Sequence, residues 1–281
     1  MNWTEQYFND FEKRARDAIE TAPCDYIGED GLLYCGECHT RKQTRIELFG
    51  KVHEPMCLCK CAAEKRKREE EARERFKMQE QIRDMRRRGF PEAEMQKWTF
   101  AADDGANEHI SSVAKNYVEH FSEMRERGKG LLFYGAVGTG KTFVAACIAN
   151  ALIDKGVPCL VTGFTRVRNE IMGMYEGKQE YFDGFNDFPL LVIDDLATEA
   201  TTEYMNEIVF NVIDSRYRAG LPLIITTNLT AEELKHPADM SKQRVYSRLF
   251  EMCLPVEVKG SDRRRDKLKE DHKEFSAMLG L

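Results

Sequence analysis

The stretch "GAVGTGKT", residues 135–142, decides the fold. It fits G-x-x-x-x-G-K-[ST] at Gly135, Gly140, Lys141 and Thr142. Each position answers a physical need. Glycines let the backbone curl until its N–H groups point inward at phosphate oxygens, a lysine neutralises β- and γ-phosphate charge, and a threonine hydroxyl ligates Mg²⁺. A helix starting at Lys141 adds its positive end to the anion site. The nucleotide cradle therefore comprises Gly135, Gly138, Thr139, Gly140, Lys141, Thr142 and Phe143. The flanks agree with this reading. The apolar run "LLFY" (131–134) precedes the loop, and a helical stretch to about Lys155 follows it.

Working outward, strand-like and helix-like stretches alternate. "VPCLVT" (157–162), "PLLVIDDL" (189–196) and "LPLIITTN" (221–228) are apolar runs of the kind buried on both faces of a parallel sheet. Helices are expected after the first run through Met174, from about Thr202 to Arg218, and over "KQRVYSRLFEMC", with "LPVEVKG" as a last strand. The alternation predicts an α/β fold with a mainly parallel sheet flanked by helices.

The strand ends carry the chemistry. "LLVIDD" delivers Asp194 and Asp195 to the carboxyl edge of the sheet, where ligands bind in such folds. Asp194 joins Thr142 as a candidate to hold Mg²⁺, through water, and Asp195 stands where a base polarises the attacking water. Asn228, just past "IITT", is placed to orient that water and sense the γ-phosphate. Arg248 in "YSRLFE" and Arg264 in "GSDRRRD" are candidate γ-phosphate readers, one in trans from a neighbouring subunit and one in cis. Arg244 competes with Arg248, and Arg263 or Arg265 with Arg264. No "N-K-x-D" segment of the guanine-selecting kind is present, which favours ATP.

The front of the chain reads differently. Cys35 and Cys38 form a C-x-x-C knuckle, and "CLCKC" adds Cys57, Cys59 and Cys61. Four thiolates close a structural Zn²⁺ site, so four of these five are expected to bind zinc. Such a metal staples a domain too small for its own core. From Ala62 to Arg88 runs a charged stretch without Gly or Pro, ended by Gly89-Phe-Pro91. It predicts a long exposed helix with Glu64–Arg68, Glu69–Arg73 and Glu71–Arg75 pairs. Residues 1–22 predict another helix, with an apolar stripe of Trp3, Tyr7, Phe8, Phe11, Ala15, Ala18 and Ile19, either packed on its own domain or docking a partner. The domains are therefore residues 1–61, a linker over 62–90, and an ATPase domain over 91–281.

Composition bounds the rest. Among 281 residues, 42 Lys and Arg oppose 48 Asp and Glu, so any nucleic-acid surface has to be a local basic patch. Arg166 and Arg168, beside Phe164, are one candidate, with Phe164 either stacking on a base or packed in the core. No apolar run approaches the ~20 residues that span a bilayer, and the polar start is unlike a signal peptide, which predicts a cytoplasmic protein without a membrane partner.

A cysteine knuckle, a charged helix, then "GAVGTGKT", "LLVIDDL", "LIITTNL" and "SRLFE…VEVKGSDRR", in that order, resemble the DnaC/DnaI-type replicative helicase loaders and their phage relatives. IstB-type transposition ATPases share the second half. The resemblance covers nearly the whole chain. It implies an AAA+ P-loop ATPase fold and an N-terminal domain that binds a hexameric replicative helicase. It further implies ATP-dependent self-association and contact with single-stranded DNA. It carries Asn228 to the first sensor position, Arg248 to the arginine finger and Arg264 to the second sensor, though the several arginines of "GSDRRR" leave that last register open. Two other readings stand beside the loader: an IstB-like transposition helper acting on duplex DNA, and a largely non-catalytic adaptor that bridges proteins.

Overall fold

The computed structural model describes residues 19, 21–48, 50–196, 202–237 and 239–279. The helix expected over residues 1–22 lies outside the described residues up to residue 18, and Thr21 and Ala22 at its expected end are not helical. The chain divides into two compact units, Met1–Gln79 and Glu80–Leu281.

The first unit holds two short antiparallel ribbons. Strands β1 (Tyr26–Ile27) and β2 (Leu33–Tyr34) pair Tyr26 with Tyr34, and β3 (Ile46–Leu48) and β4 (Lys51–His53) pair Ile46 with His53. Its buried apolar residues, among those described, are Leu32, Cys35, Pro55 and Cys59. That is too little apolar burial to hold a domain together. A buried ion pair, Lys42 to Asp25 at 2.6 Å, lies beside them. Helix α1 (Lys60–Gly89) follows, close to the stretch expected from its lack of Gly and Pro. Its side chains are exposed over most of its length, while Ile82 and Met85 near its end pack against an apolar core, and it carries Glu71–Arg75 at 3.7 Å and, unforeseen, Arg66–Glu70 at 3.6 Å.

The second unit takes in the last turns of α1 from Glu80 and continues with two single-turn 3₁₀ segments, Met95–Lys97 and Phe100–Ala102, then α2 (Glu108–Glu119) and the short α3 (Phe121–Glu126). Strand β5 (Gly130–Tyr134) runs into the glycine loop and α4 (Lys141–Asp154). Then come β6 (Cys159–Gly163), α5 (Phe164–Met172), α6 (Lys178–Gly184) and β7 (Leu190–Leu196). Helix α7 (Glu203–Ala219) starts on Thr202, whose hydroxyl accepts from the Met205 amide at 3.2 Å, and ends on Gly220 at a φ of 63°. Strand β8 (Leu223–Thr227), α8 (Ala231–Lys235), α9 (Met240–Met252), β9 (Cys253–Glu257) and α10 (Arg263–Leu279) complete it.

The five strands β5–β9 form one sheet in the order β6-β7-β8-β5-β9, every pair parallel. Apolar side chains cover both faces. Phe133, Leu131 and Val192 pack with Ile148, Leu152 and Ile153 of α4 on one side, and Leu132, Ile193 and Ile225 pack with Val212, Ile213 and Leu249 of α7 and α9 on the other. This two-sided burial is why the strands read as continuous apolar runs. Arg216 of α7 is fully buried in the second layer. It donates to the carbonyls of Phe185 (3.0 Å), Phe188 (2.9 Å) and Pro222 (2.6 Å), and burial lowers its pKa to about 10. No helix among the described residues is long and apolar enough to cross a membrane.

Candidate functional site

The order of the strands brings the candidate residues to one edge. Strand β8 lies between β7 and β5, so the loop after β5, the acids ending β7 and the residue after β8 emerge side by side. In the loop, Gly135, Gly138 and Gly140 have φ of 137°, 79° and 94°, a region that other side chains resist. A Cβ on Gly138 would also fall 2.0 Å from Asp262 Oδ1. Lys141 is 5% exposed, and its ammonium donates to the carbonyls of Gly135 at 3.0 Å and Ala136 at 2.7 Å. Burial holds its pKa below the ordinary lysine value. Thr139 donates to Ala136 O at 3.0 Å and shapes the loop from beneath.

Strand β7 shifts register against β8 between Ile193 and Leu196, and Asp195 in that shift has a φ of 57°. Positive φ is uncommon outside glycine, and Asp is among the residues that tolerate it. The twist sends the two acids different ways. Asp194 stays partly buried, accepts from the Thr226 hydroxyl at 2.6 Å and hydrogen-bonds with Thr142. Burial raises its pKa, opposed by those two hydroxyls. Asp195 turns outward, its amide donating to Thr226 Oγ1 at 3.0 Å, and Asn228 Nδ2 reaches Asp195 Oδ1 at 3.5 Å.

A cleft of about 490 Å³ opens here. Gly138, Gly140, Lys141, Thr142, Phe143, Asp195, Asn228 and Arg264 line it. Gly135 and Thr139 support the loop outside that lining, and Asp194 lies just behind Asp195. Arg263 lines the cleft too. Its amide donates to Gly138 O at 3.1 Å and its guanidinium pairs with Asp104 at 3.2 Å. Arg265 instead points away, exposed and 3.6 Å from Asp262. Arg248 is not among the cleft's residues. It sits on α9, 2.7 Å from Asp214 of α7. Arg244, its competitor, is exposed beside Glu203, Glu207 and Asp239.

Sequence reasoning missed two residues here. Thr226, fully buried, binds both acids, and the signal was its hydroxyl inside an apolar strand, where a polar group must find a partner. Trp98 stands at the cleft mouth, its ring 6.0 Å from Phe143, because the buried Asn150 of α4 donates to Trp98 O at 2.8 Å and Met95 O at 2.9 Å. Conversely, Phe164 has no exposed surface, so of its two readings the packed one holds and base stacking is ruled out. Buried at the start of α5, it anchors that helix against the sheet. Arg166 pairs with Glu170 at 2.9 Å.

In the first unit the sulfurs of Cys35, Cys38, Cys59 and Cys61 lie within 4.8 Å of one another. Cys57 is outside this group, its thiol directed at Arg41 O at 3.6 Å. Gly36 lets the knuckle close, since a Cβ there would meet Cys24 O at 2.1 Å. The Thr40 hydroxyl is the foremost of the groups that bring the Cys38 pKa down to about 5, while hydrogen bonding to Cys59 drives that of Cys61 up. Four thiols without His or an open position form the donor set of a closed zinc site, and the residues fit that ion. The nearby His39 turns its Nδ1 to Tyr26 OH at 3.3 Å.

Comparison with known proteins follows the same lines. The family model described as IstB-like ATP binding protein matches residues 64–270. The replicative helicase loader DnaI of Bacillus subtilis (strain 168) is 27% identical over 169 residues, 56% of this chain and 53% of DnaI. The replicative helicase loader DnaC of Escherichia coli (strain K12) is 26% identical over 127 residues, 44% of this chain and 51% of DnaC. The chain thus spans about half the length of the curated relatives it matches. The crystal structure of DnaI superposes with a TM-score of 0.52 at 25% identity, over 62% of this chain and 94% of that one. The fold is that of an AAA+ P-loop ATPase.

Proposed function

Because the chain belongs to the IstB-like ATP binding protein family, we propose that it is an ATPase that loads a hexameric replicative helicase onto single-stranded DNA. ATP binding drives its self-association, and hydrolysis releases the loaded helicase. The observation that carries the ATPase half is one cleft in which Lys141, Thr142, Asp195, Asn228 and Arg264 converge. The loader half is supported by DnaI and DnaC, both replicative helicase loaders, among its relatives. The protein works in the cytoplasm, with residues 1–61 as the helicase-binding domain, 62–90 as linker and 91–281 as ATPase domain.

Each residue has a role in this reading. The loop amides and Lys141 bind the β- and γ-phosphates, and Lys141 releases its two loop carbonyls to do so. Thr142 and Asp194 would hold Mg²⁺, whose charge offsets that of the phosphates. Asp195 takes a proton from the attacking water, and Asn228, within reach of Asp195, orients that water. Arg264 reads the γ-phosphate in cis, next to Arg263, which Asp104 already engages. Arg248 reaches a neighbouring subunit's γ-phosphate in trans. Cys35, Cys38, Cys59 and Cys61 would hold Zn²⁺, which folds the first unit and takes no part in hydrolysis.

Lys141→Ala tests the division of labour. Losing the charge-assisted contacts costs ~3 kcal/mol, about a hundredfold in ATP affinity by calorimetry, while the full-length variant still pulls down the helicase. Loss of the helicase together with ATP would overturn the separation of the two functions. The family description also keeps the transposition-helper reading open. Stronger binding to duplex than to single-stranded DNA would favour it, and negligible turnover with either DNA would leave an adaptor.

A further inference from the structure

The clearest arrangement outside the cleft surrounds Arg248. Helix α9 packs against α7, and α7 turns three side chains at helical spacing toward this one guanidinium. Asp214 is 7% exposed and places Oδ1 2.7 Å from Arg248 Nη1. The ring of Phe210, one turn earlier, lies 4.6 Å from the guanidinium carbon, and that of Tyr217, one turn later, lies 5.6 Å from it. Tyr217 is itself fixed by a hydrogen bond from its hydroxyl to Glu251 Oε1 at 3.2 Å. Asp214 Oδ1 and Arg248 Nη1 are both shut off from water, and among the described residues neither makes a hydrogen bond, so the ion pair at 2.7 Å is what engages each of them. One end of the arginine fork is therefore buried and fixed, while the side chain as a whole stays 29% exposed.

Two further features set this apart from an ordinary helix–helix ion pair. Asp214 also receives Arg218 on its second oxygen at 2.8 Å, so one carboxylate serves two guanidiniums and does not cancel the charge of Arg248. Among the described residues no ring or carboxylate clamps Arg244, one turn before Arg248 on the same helix, and its side chain is exposed. An arginine that must reach a phosphate across a subunit boundary gains from being held beforehand, because a free side chain would lose that rotamer freedom on each encounter.

We propose that Asp214 is a positioning residue: with Phe210 and Tyr217 it fixes one end of the Arg248 guanidinium, so that the other is presented to the ATP of a neighbouring subunit. This rests on the reading of Arg248 as the arginine that acts in trans.

The test uses the full chain and its ATP hydrolysis. Arg248→Ala is expected to lower kcat by about a thousandfold. Asp214→Asn, which keeps shape and removes the charge, lowers kcat by ten- to about a hundredfold with KM unchanged. The double variant behaves as Arg248→Ala alone, because Asp214 acts only through Arg248. Mixing adds a readout that a purely structural role would not move. Lys141→Ala subunits, which keep an intact Arg248 edge, restore turnover to Asp214→Asn subunits, and Arg248→Ala subunits do not. Should Asp214→Asn fail to fold, Tyr217→Leu, which changes a partly exposed ring, carries the same test. An Asp214→Asn enzyme with unchanged or raised kcat, or additive losses in the double variant, would overturn the proposal. An unchanged Arg248→Ala enzyme would overturn the trans reading itself, and this inference with it.

Discussion

The Thr226 hydroxyl sits between two acids, donating to Asp194 Oδ1 at 2.6 Å and accepting from the Asp195 amide at 3.0 Å. It thereby fixes the split that gives the acids different surroundings, Asp194 held back beside Thr142 and Asp195 turned into the cleft. Thr226→Val tests this with a change of almost no volume. The hydroxyl is fully buried, so its removal takes away both the donor to Asp194 and the acceptor of the Asp195 amide, at ~2 kcal/mol of stability. Turnover should fall at least about tenfold as the acids lose register. Urea unfolding and steady-state hydrolysis measure the two effects, and Thr226→Ser, which keeps the hydroxyl, should restore both. A valine variant with native turnover would show that backbone alone places the acids. Nothing in "IITTN" singles out this threonine over Thr227, whose hydroxyl turns to Leu196 O at 2.8 Å. Adjacent strand residues face opposite sides, and deciding which side meets the acids requires knowing that β7 is the neighbour.

That difference recurs among the elements. The glycine loop was legible because its geometry comes from eight consecutive residues, and the two acids because they end an apolar run. The helix over Lys60–Gly89 was legible from the absence of breakers, and its stop from Gly89 and Pro91. What depended on partners was not. Strand order, the place of Trp98 and the face of Phe164 follow from packing between segments far apart in sequence. Which of Arg263, Arg264 and Arg265 face the cleft depended on the phase at which α10 begins, set by Asp262 accepting from the Arg264 and Arg265 amides. Gly130, at the start of β5, shows what strand pairing demands of a residue that no motif marks. A Cβ there would stand 1.7 Å from the carbonyl oxygen of Leu223, and backbone cannot yield as a side chain does. Gly130→Ala must therefore part β5 from β8 at the strand that carries the glycine loop. The expected loss is ~3 kcal/mol or more, as for overpacking in a rigid core, seen as a lower urea midpoint together with weaker ATP binding. An alanine variant of native stability would mean that the two strands separate there at no cost.

At the scale of the molecule the two units draw stability from different sources. The second has an apolar layer on each face of its sheet, whereas the first, among the described residues, buries Leu32, Pro55 and two cysteines around the Lys42–Asp25 pair. A buried ion pair adds little net stability, because desolvation offsets its attraction. The remaining candidate is a metal joining Cys35 and Cys38 of the knuckle to Cys59 and Cys61 at the start of α1, which ties the segment's two ends together. Structural zinc contributes ~10 kcal/mol or more to small domains of this kind. Full-length protein should hence carry one zinc per chain. Cys59→Ser should lose it, since a three-thiol site binds far more weakly, and Cys57→Ser should keep it, since that sulfur turns away to Arg41 O. Stripping the metal with a chelator should abolish the ordered signals of the first unit while ATP affinity stays unchanged, because the cleft is built wholly from the second. Metal analysis, amide hydrogen exchange and nucleotide calorimetry on one preparation separate the outcomes. Zinc retained in Cys59→Ser but lost in Cys57→Ser would reassign the fourth ligand. Chelation that weakens ATP binding would mean that the units are energetically coupled.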